Sequence, residues 1–388
     1  HAAETKEDTP QYADTDMVRV SIKLAGASTI GAGYATRGIA DNAAADIYRT
    51  GLKVQQQAMA QRISKEVLGG EELDVVWNMT LLTNMISANV PYGKIEEIEA
   101  IDGVASVTIE NRYEPDVAST GEADPDMATS GEMIGSTAAW ADGYTGAGSR
   151  IAVIDTGTDT DHKSFDSAAF EYSLSLLAAD AGKSTEEYVA SLDLLDAEEI
   201  ASVLPKLNVS KYVSNADKLY LNSKLPYAFN YVDEDFDITH DNDAEGEHGS
   251  HVAGIATANR YVSDGKGGYE KALDSVFVQG VAPDAQLITM KVFGKGGGAY
   301  DSDYMVAIED AVMLGCDAVN LSLGSGNAGF TMSEDYQAVF DMLENTDTVV
   351  SISAGNSYSW PEYSVNGTGA LYLDDVNFAT GGSPGSYK

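Results

Sequence analysis

Cysteine occurs once in 388 residues, at position 316, so no disulfide framework inside the chain can hold the fold together. A buried structural thiol is the expectation for Cys316, which sits between an apolar helix-like stretch and an apolar strand. Basic residues are scarce: 23 Lys and Arg stand against 61 Asp and Glu, a formal net charge of -38 at pH 7. A field of that sign repels phosphate, which argues against nucleic acid and anionic lipid as partners. It favours solubility and leaves many carboxylates of the kind that hold Ca2+. Long apolar runs are absent as well. No eighteen consecutive apolar residues occur, so no membrane span is expected, and no basic stretch followed by an apolar one opens the chain. What remains is a globular composition, 44% hydrophobic, long enough for two or three domains.

The pattern that is present divides the chain in two. Residues 18–24 alternate as Val-Arg-Val-Ser-Ile-Lys-Leu, the mark of a half-buried strand. Residues 41–68 are rich in Ala, Gln, Lys and Glu and end at Gly69-Gly70, which predicts one long helix. Two β-rich runs follow at 73–79 and 82–90, then a short helix at 94–101 and an alternating strand at 105–109. Strand, helix, two strands, helix, strand is the ferredoxin-like order. It predicts a small α+β domain over residues 14–115, behind a flexible N-terminus at 1–13. Residues 116–131 lack periodicity and are rich in Ala, Ser, Thr, Gly and Asp, the composition of an exposed linker. From 132 to 388 strands alternate with helices, which predicts an α/β domain with a mostly parallel sheet flanked by helices. A helical surface insertion is expected at about 170–222, where Ser184-Thr185-Glu186-Glu187 has capping-box spacing.

Three segments of this second part carry chemistry. Ile151-Ala152-Val153-Ile154-Asp155-Thr156-Gly157 is an apolar strand ending in a carboxylate, and α/β proteins build their sites at that edge of a parallel sheet. Taken alone, Asp155 also fits a strand-end turn in which it bonds only backbone. Glu247-His248-Gly249-Ser250-His251-Val252-Ala253-Gly254 puts an imidazole ahead of small residues that permit tight packing. Its histidines are spaced i, i+3, whereas zinc helices use i, i+4 and a third ligand, so His251 reads as a packing residue. Ser351-Ile352-Ser353-Ala354-Gly355-Asn356 is the third segment. The glycine run Gly296-Gly297-Gly298 follows a strand and precedes a helix, but it lacks the G-x-G-x-x-G spacing of a nucleotide-binding turn.

Together these segments resemble the subtilisin-like serine proteases, the subtilase family, whose triad runs Asp, His, Ser along the chain. The wording around Asp155 is similar to the large bacterial cell-envelope, lactocepin-like group. The resemblance implies that Asp155 orients His248, that His248 moves the proton, and that Asn356 donates to the oxyanion. It implies that Ser322-Leu323-Gly324 and Gly296-Gly297-Gly298 form the two edges of a peptide cleft, with Ala354 and Gly355 lining the specificity pocket. The N-terminal α+β domain resembles the family's propeptide, a folding assistant and inhibitor. Its tail, here Asn111-Arg112-Tyr113-Glu114-Pro115, enters the cleft, and processing is expected within 116–131. Protein or peptide substrates, a secreted or cell-wall-associated location in bacteria, structural calcium with unassigned ligands and no catalytic metal are implied in the same way.

The nucleophile is missing from this pattern. No Gly-Thr-Ser-Met-Ala-type motif follows Asn356, and Gly135-Ser136-Thr137-Ala138-Ala139 precedes Asp155, which is the wrong order. The serine is therefore expected on a separate polypeptide or on a downstream segment, with this chain as propeptide plus the Asp/His/oxyanion part of the catalytic domain. The alternative is a non-catalytic, degenerate subtilase that presents a peptide groove. Such a groove needs none of Asp155, His248 and Asn356, and all three are present.

Overall fold

The computed structural model describes residues 12–115, 127–239, 246–324, 334–354, 359–364, 367–372 and 384–385. They group into two units, one holding residues 12–34 and 43–111, the other 35–42 and those from Arg112 onward.

The first unit is β1 (Met17–Leu24), α1 (Ala43–Glu66), β2 (Asp74–Met79), β3 (Met85–Pro91), α2 (Ile95–Glu99) and β4 (Val104–Ile109). Its antiparallel sheet has the order β2-β3-β1-β4, the ferredoxin-like arrangement. The alternation in β1 puts Val18, Val20, Ile22 and Leu24 in the core, against Met59 and Ile63 of α1 and Ile98 of α2. α1 buries Ala45, Arg49, Leu52, Gln56, Met59 and Ile63, one face at spacings of three and four. Two of its buried polar members make hydrogen bonds within the unit: Gln56 Nε2 donates to Met79 O at 2.7 Å and Arg49 Nε to Thr80 Oγ1 at 3.3 Å.

The second unit begins with β5 (Arg112–Pro115), followed by α3 (Met127–Met133), α4 (Ser136–Ala141) and β6 (Arg150–Asp155). Then come α5 (Ser167–Asp180), α6 (Thr185–Ala190), α7 (Ala197–Val203), β7 (Tyr227–Asn230) and α8 (His248–Thr257). A hairpin of β8 (Tyr261–Ser263) and β9 (Tyr269–Lys271) and the short α9 (Ala272–Ser275) lead to β10 (Gln286–Lys291), β11 (Ala299–Tyr300) and α10 (Asp301–Met313). β12 (Ala318–Leu321), β13 (Leu323–Gly324), α11 (Glu334–Leu343) and β14 (Val349–Ile352) follow. The main sheet is wholly parallel, in the order β14-β12-β6-β10-β7. All six residues of β10 are buried, as a strand covered on both faces requires. Each of its fully buried Leu, Ile and Met side chains contributes on the order of 2 kcal/mol.

The division differs from the expected one in three places. Residues 35–42 belong to the second unit, where Asp347 N donates to Thr36 Oγ1 at 3.1 Å and Lys206 Nζ bonds Ala40 O. β5 belongs there as well, although residues 112–115 were expected at the end of the first domain. α3 starts at Met127, inside the stretch read as a linker, while residues 116–126 and 1–11 lie outside the described residues. Cys316 is buried, and burial pushes its thiol up to about 12, so it is an inert packing residue.

The segment at about 170–222, expected to be an insertion, is helical, and it is held by Asp284, Gln286 and Arg150 as well as by the carboxylate of Asp310. Asp310 of α10, fully buried, accepts from Asn208 N at 2.6 Å, Val209 N at 3.2 Å and the Tyr231 hydroxyl at 3.1 Å. Burial raises its pKa from 3.8 to about 7, against the pull of those hydrogen bonds. The unfolded chain thus gives up this proton near pH 4 and the folded one near 7, so stability falls as pH rises through that window and is level above it. Asp310→Asn should remove this component, about 4 kcal/mol across the window. Melting curves of wild type and variant at a series of pH values check it, and parallel pH profiles would contradict the assignment.

Candidate active site

β6 delivers Asp155 to the carboxyl edge of the sheet, where it is buried. Three contacts then bring α8 onto that edge. Gly249 N donates to Thr156 Oγ1 at 2.9 Å, which caps a helix whose own N-cap residue, Glu247, makes no side-chain cap. Asp159 N donates to Ser250 Oγ at 2.8 Å, so the hydroxyl of Ser250 ties the loop after β6 to the same helical turn. Gly249 packs on Gly157 so closely that a Cβ on it would overlap the Gly157 carbonyl oxygen. Gly157 has φ +107, and a Cβ there would run into Ile238 O.

The result is an imidazole set on a carboxylate. His248 Nδ1 lies 2.8 Å from Asp155 Oδ1, which also accepts from Thr156 N at 2.7 Å. The Asp155 side chain is 1% exposed and that of His248 17%. With the proton on Nδ1, donated to Asp155, Nε2 is left as an acceptor, the tautomer a general base needs.

Sequence patterns did not single out two lysines that brace this arrangement. Lys291, opposite Asp155 in the β6–β10 register, is buried and donates Nζ to Thr156 O at 2.5 Å. A lone lysine ending the apolar run Leu-Ile-Thr-Met-Lys was the available signal. Lys224 is completely buried and donates to the carbonyls of Thr257, Pro283 and Ala285 at 2.7, 2.9 and 2.8 Å. It joins the C-terminus of α8 to the segment entering β10, and burial pulls its pKa down to about 7 against the opposing charge of Asp284. His251, expected to be a packing residue, is exposed, because α8 buries the face of Gly249, Ala253, Gly254 and Thr257 instead.

A second, smaller sheet follows the ends of β10 and β12. β11 and β13 lie on either side of β5, forming a three-stranded antiparallel sheet in the order β11-β5-β13. Tyr113 pairs with Ala299 and Arg112 with Tyr300 on one side; Glu114 pairs with Gly324 and Pro115 with Leu323 on the other. Leu323 and Gly324 therefore bond the tail strand directly, and Ser322 precedes them, accepting from Asn320 Nδ2 at 2.8 Å. Gly296, Gly297 and Gly298 form the turn before β11. The Tyr113 ring is buried edge-on against Tyr304 of α10, with centroids 5.6 Å apart. Ala354 follows β14 and is exposed. Gly355 and Asn356 lie outside the described residues.

No group of three or more His, Cys, Asp and Glu side chains among the described residues is arranged to hold a metal ion. Among the described residues, the carboxylates of Asp233, Asp235 and Asp237 lie on Asn230 Nδ2, Lys295 N and Lys295 Nζ, so this cluster does not fit the calcium that the resemblance implies. Among the described residues no helix is long and apolar enough to cross a membrane.

The Asp155–His248 pair stands at the carboxyl edge of a parallel sheet, where α/β proteins build their sites. Residues 146–388 match the family described as Peptidase_S8, subtilase family, and the chain belongs to that family. The PI-type proteinase of Lactococcus lactis subsp. cremoris is 31% identical over 281 residues, covering 71% of this chain and 12% of that protein. The minor extracellular protease Vpr of Bacillus subtilis is 27% identical over 285 residues, covering 70% of this chain and 26% of its own length. Fervidolysin from Fervidobacterium pennivorans, described as a keratinolytic enzyme related to subtilisin, aligns with a TM-score of 0.48 at 16% identity, covering 88% of this chain and 40% of its own. The chain thus spans a minor part of each relative's length.

Proposed function

We propose that this chain belongs to a secreted serine endopeptidase that cleaves protein substrates through an acyl-enzyme, and that it supplies the Asp155–His248 pair and the edges of the substrate cleft. The observation that carries the reading is the 2.8 Å contact of His248 Nδ1 with Asp155 Oδ1, in a chain that also holds β5 between β11 and β13. In this mechanism His248 Nε2 accepts the proton of a serine hydroxyl as oxygen attacks the scissile carbonyl, then returns it to the leaving amine. Asp155 holds the ring in the required tautomer and stabilises the imidazolium. Asn356 donates its amide to the oxyanion, and Ala354 and Gly355 line the pocket for the residue at the cleaved bond. The serine comes from residues outside this chain. Residues 14–115 act as an intramolecular inhibitor, with β5 occupying the cleft as a substrate strand does, between Gly298–Tyr300 and Ser322–Gly324. The name of the extracellular relative supports a location outside the cell.

The test is labelling of the full-length protein with a fluorophosphonate probe, followed by mapping of the modified residue. One labelled serine outside residues 1–388 is expected, with labelling rising after release of residues 14–115. An absence of labelling in a folded, fully processed sample would overturn the reading in favour of a peptide-binding module.

A further inference from the structure

Besides its main-chain pairing, β5 is held by one charged side chain. Arg112 Nη2 donates to Gly296 O at 2.6 Å and to Gly297 O at 2.5 Å, so two successive carbonyls converge on a single guanidinium nitrogen. The turn that presents them requires glycine twice over. Gly297 and Gly298 have φ +64 and +69, and a Cβ on Gly298 would collide with Arg112 Nε and stand 2.9 Å from its Cγ. The space a side chain would fill at 298 is the space the arginine occupies. The turn is also fixed from behind by carboxylates: Asp233 Oδ2 accepts from Lys295 N at 3.0 Å, and Asp235 and Asp237 lie 3.5 and 3.6 Å from Lys295 Nζ. Three carboxylates against one ammonium leave this loop anionic, on a chain whose net charge is already -38.

We propose that the turn Gly296-Gly297-Gly298 is a guanidinium receptor, and that the cleft selects peptides carrying arginine directly before an aromatic residue. The arginine lies on the two carbonyls as Arg112 does, and the aromatic ring enters the pocket of Tyr113 against Tyr304. The inference rests on the protease reading, in which β5 marks the path of a substrate. It adds a determinant for a cation at a position remote from the cleaved bond. Because these carbonyls are exposed to water, the selection is moderate, about three- to tenfold in kcat/KM and expressed mainly in KM.

The experiment uses the processed full-length enzyme and quenched octapeptides with the sequence of residues 111–118. The second residue is Arg, Ala or Glu, and a further control peptide has Ala in place of the tyrosine. The Arg peptide should exceed the Ala peptide by about three- to tenfold and the Glu peptide by more, and Gly298→Ala should bring the Arg/Ala ratio close to one. Equal kcat/KM for the Arg and Ala peptides, with all of them hydrolysed, overturns the receptor and leaves the protease reading standing. If none is hydrolysed the protease reading is the casualty, and a second measurement decides the receptor. Amide exchange at Tyr113 and Tyr300 in the unprocessed full-length protein should quicken several-fold on Arg112→Ala and less on Arg112→Lys. Unchanged exchange overturns it.

Discussion

Asp155→Asn is expected to lower the turnover of the full-length enzyme by on the order of 10⁴ while leaving the fold intact. The carboxylate's Oδ1 receives both Thr156 N and His248 Nδ1, so the substitution acts on the proton inventory and leaves the packing alone. If the amide presents its NH2 to the ring, the imidazole must keep its proton on Nε2 and cannot accept one from serine. If it presents its oxygen, the tautomer survives but the imidazolium loses the charge that stabilises it. The side chain is 1% exposed and its Oδ2 has no hydrogen-bond partner among the described residues, so a neutral isostere removes a buried charge and should cost little stability. Steady-state kinetics beside a melting curve test both halves. Near-normal turnover removes Asp155 from the mechanism, and a large fall in melting temperature makes its role structural.

The second large effect concerns a glycine with no chemistry of its own. Gly249→Ala places a methyl group on the Gly157 carbonyl oxygen, and neither partner has a flexible side chain with which to yield. The N-terminal turn of α8 must withdraw from the end of β6, lengthening the contact between His248 and Asp155. Overpacking of this kind costs about 1–3 kcal/mol, and a displacement near 1 Å in a catalytic group costs on the order of 10²-fold in rate. Gly254→Ala on the same helix is the control. A Cβ there meets nothing within 4 Å, so it should stabilise by about 0.5–1 kcal/mol through higher helix propensity. Both substitutions are Gly to Ala in α8, and only the first should lower activity, by on the order of 10²-fold. A Gly249→Ala enzyme of normal rate would show that the contact of α8 with β6 does not set the catalytic geometry.

Much of this architecture was legible in the chain because it is written in local periodicity. The alternation at 18–24 became β1, the Ala- and Gln-rich stretch became α1, and the order of elements corresponded to the ferredoxin-like sheet β2-β3-β1-β4. Asp155 and His248 could be named because strand end and helix start each have a local sequence signature. Their juxtaposition was suggested by family resemblance alone. Ninety-three positions separate them (248 − 155), and no periodicity reports on so distant a pair.

What the chain could not disclose is what depends on which distant backbone atoms meet. In a parallel sheet, neighbouring strands are joined through helices, so the order β14-β12-β6-β10-β7 and the placing of Lys291 beside Asp155 have no counterpart in spacing. The roles of Thr156 and Lys224 are to bond backbone groups 93 and at least 33 residues away, and nothing local distinguishes them from an ordinary threonine and lysine. His251 was misplaced for the same reason, since the buried face of α8 is set by Gly157 and Thr156 docking at Gly249 rather than by the apolar pattern of the helix. Composition and periodicity act over a few residues and settle which elements form; packing, capping and close backbone approach act across the whole fold, and they alone determined the groups that surround the pair.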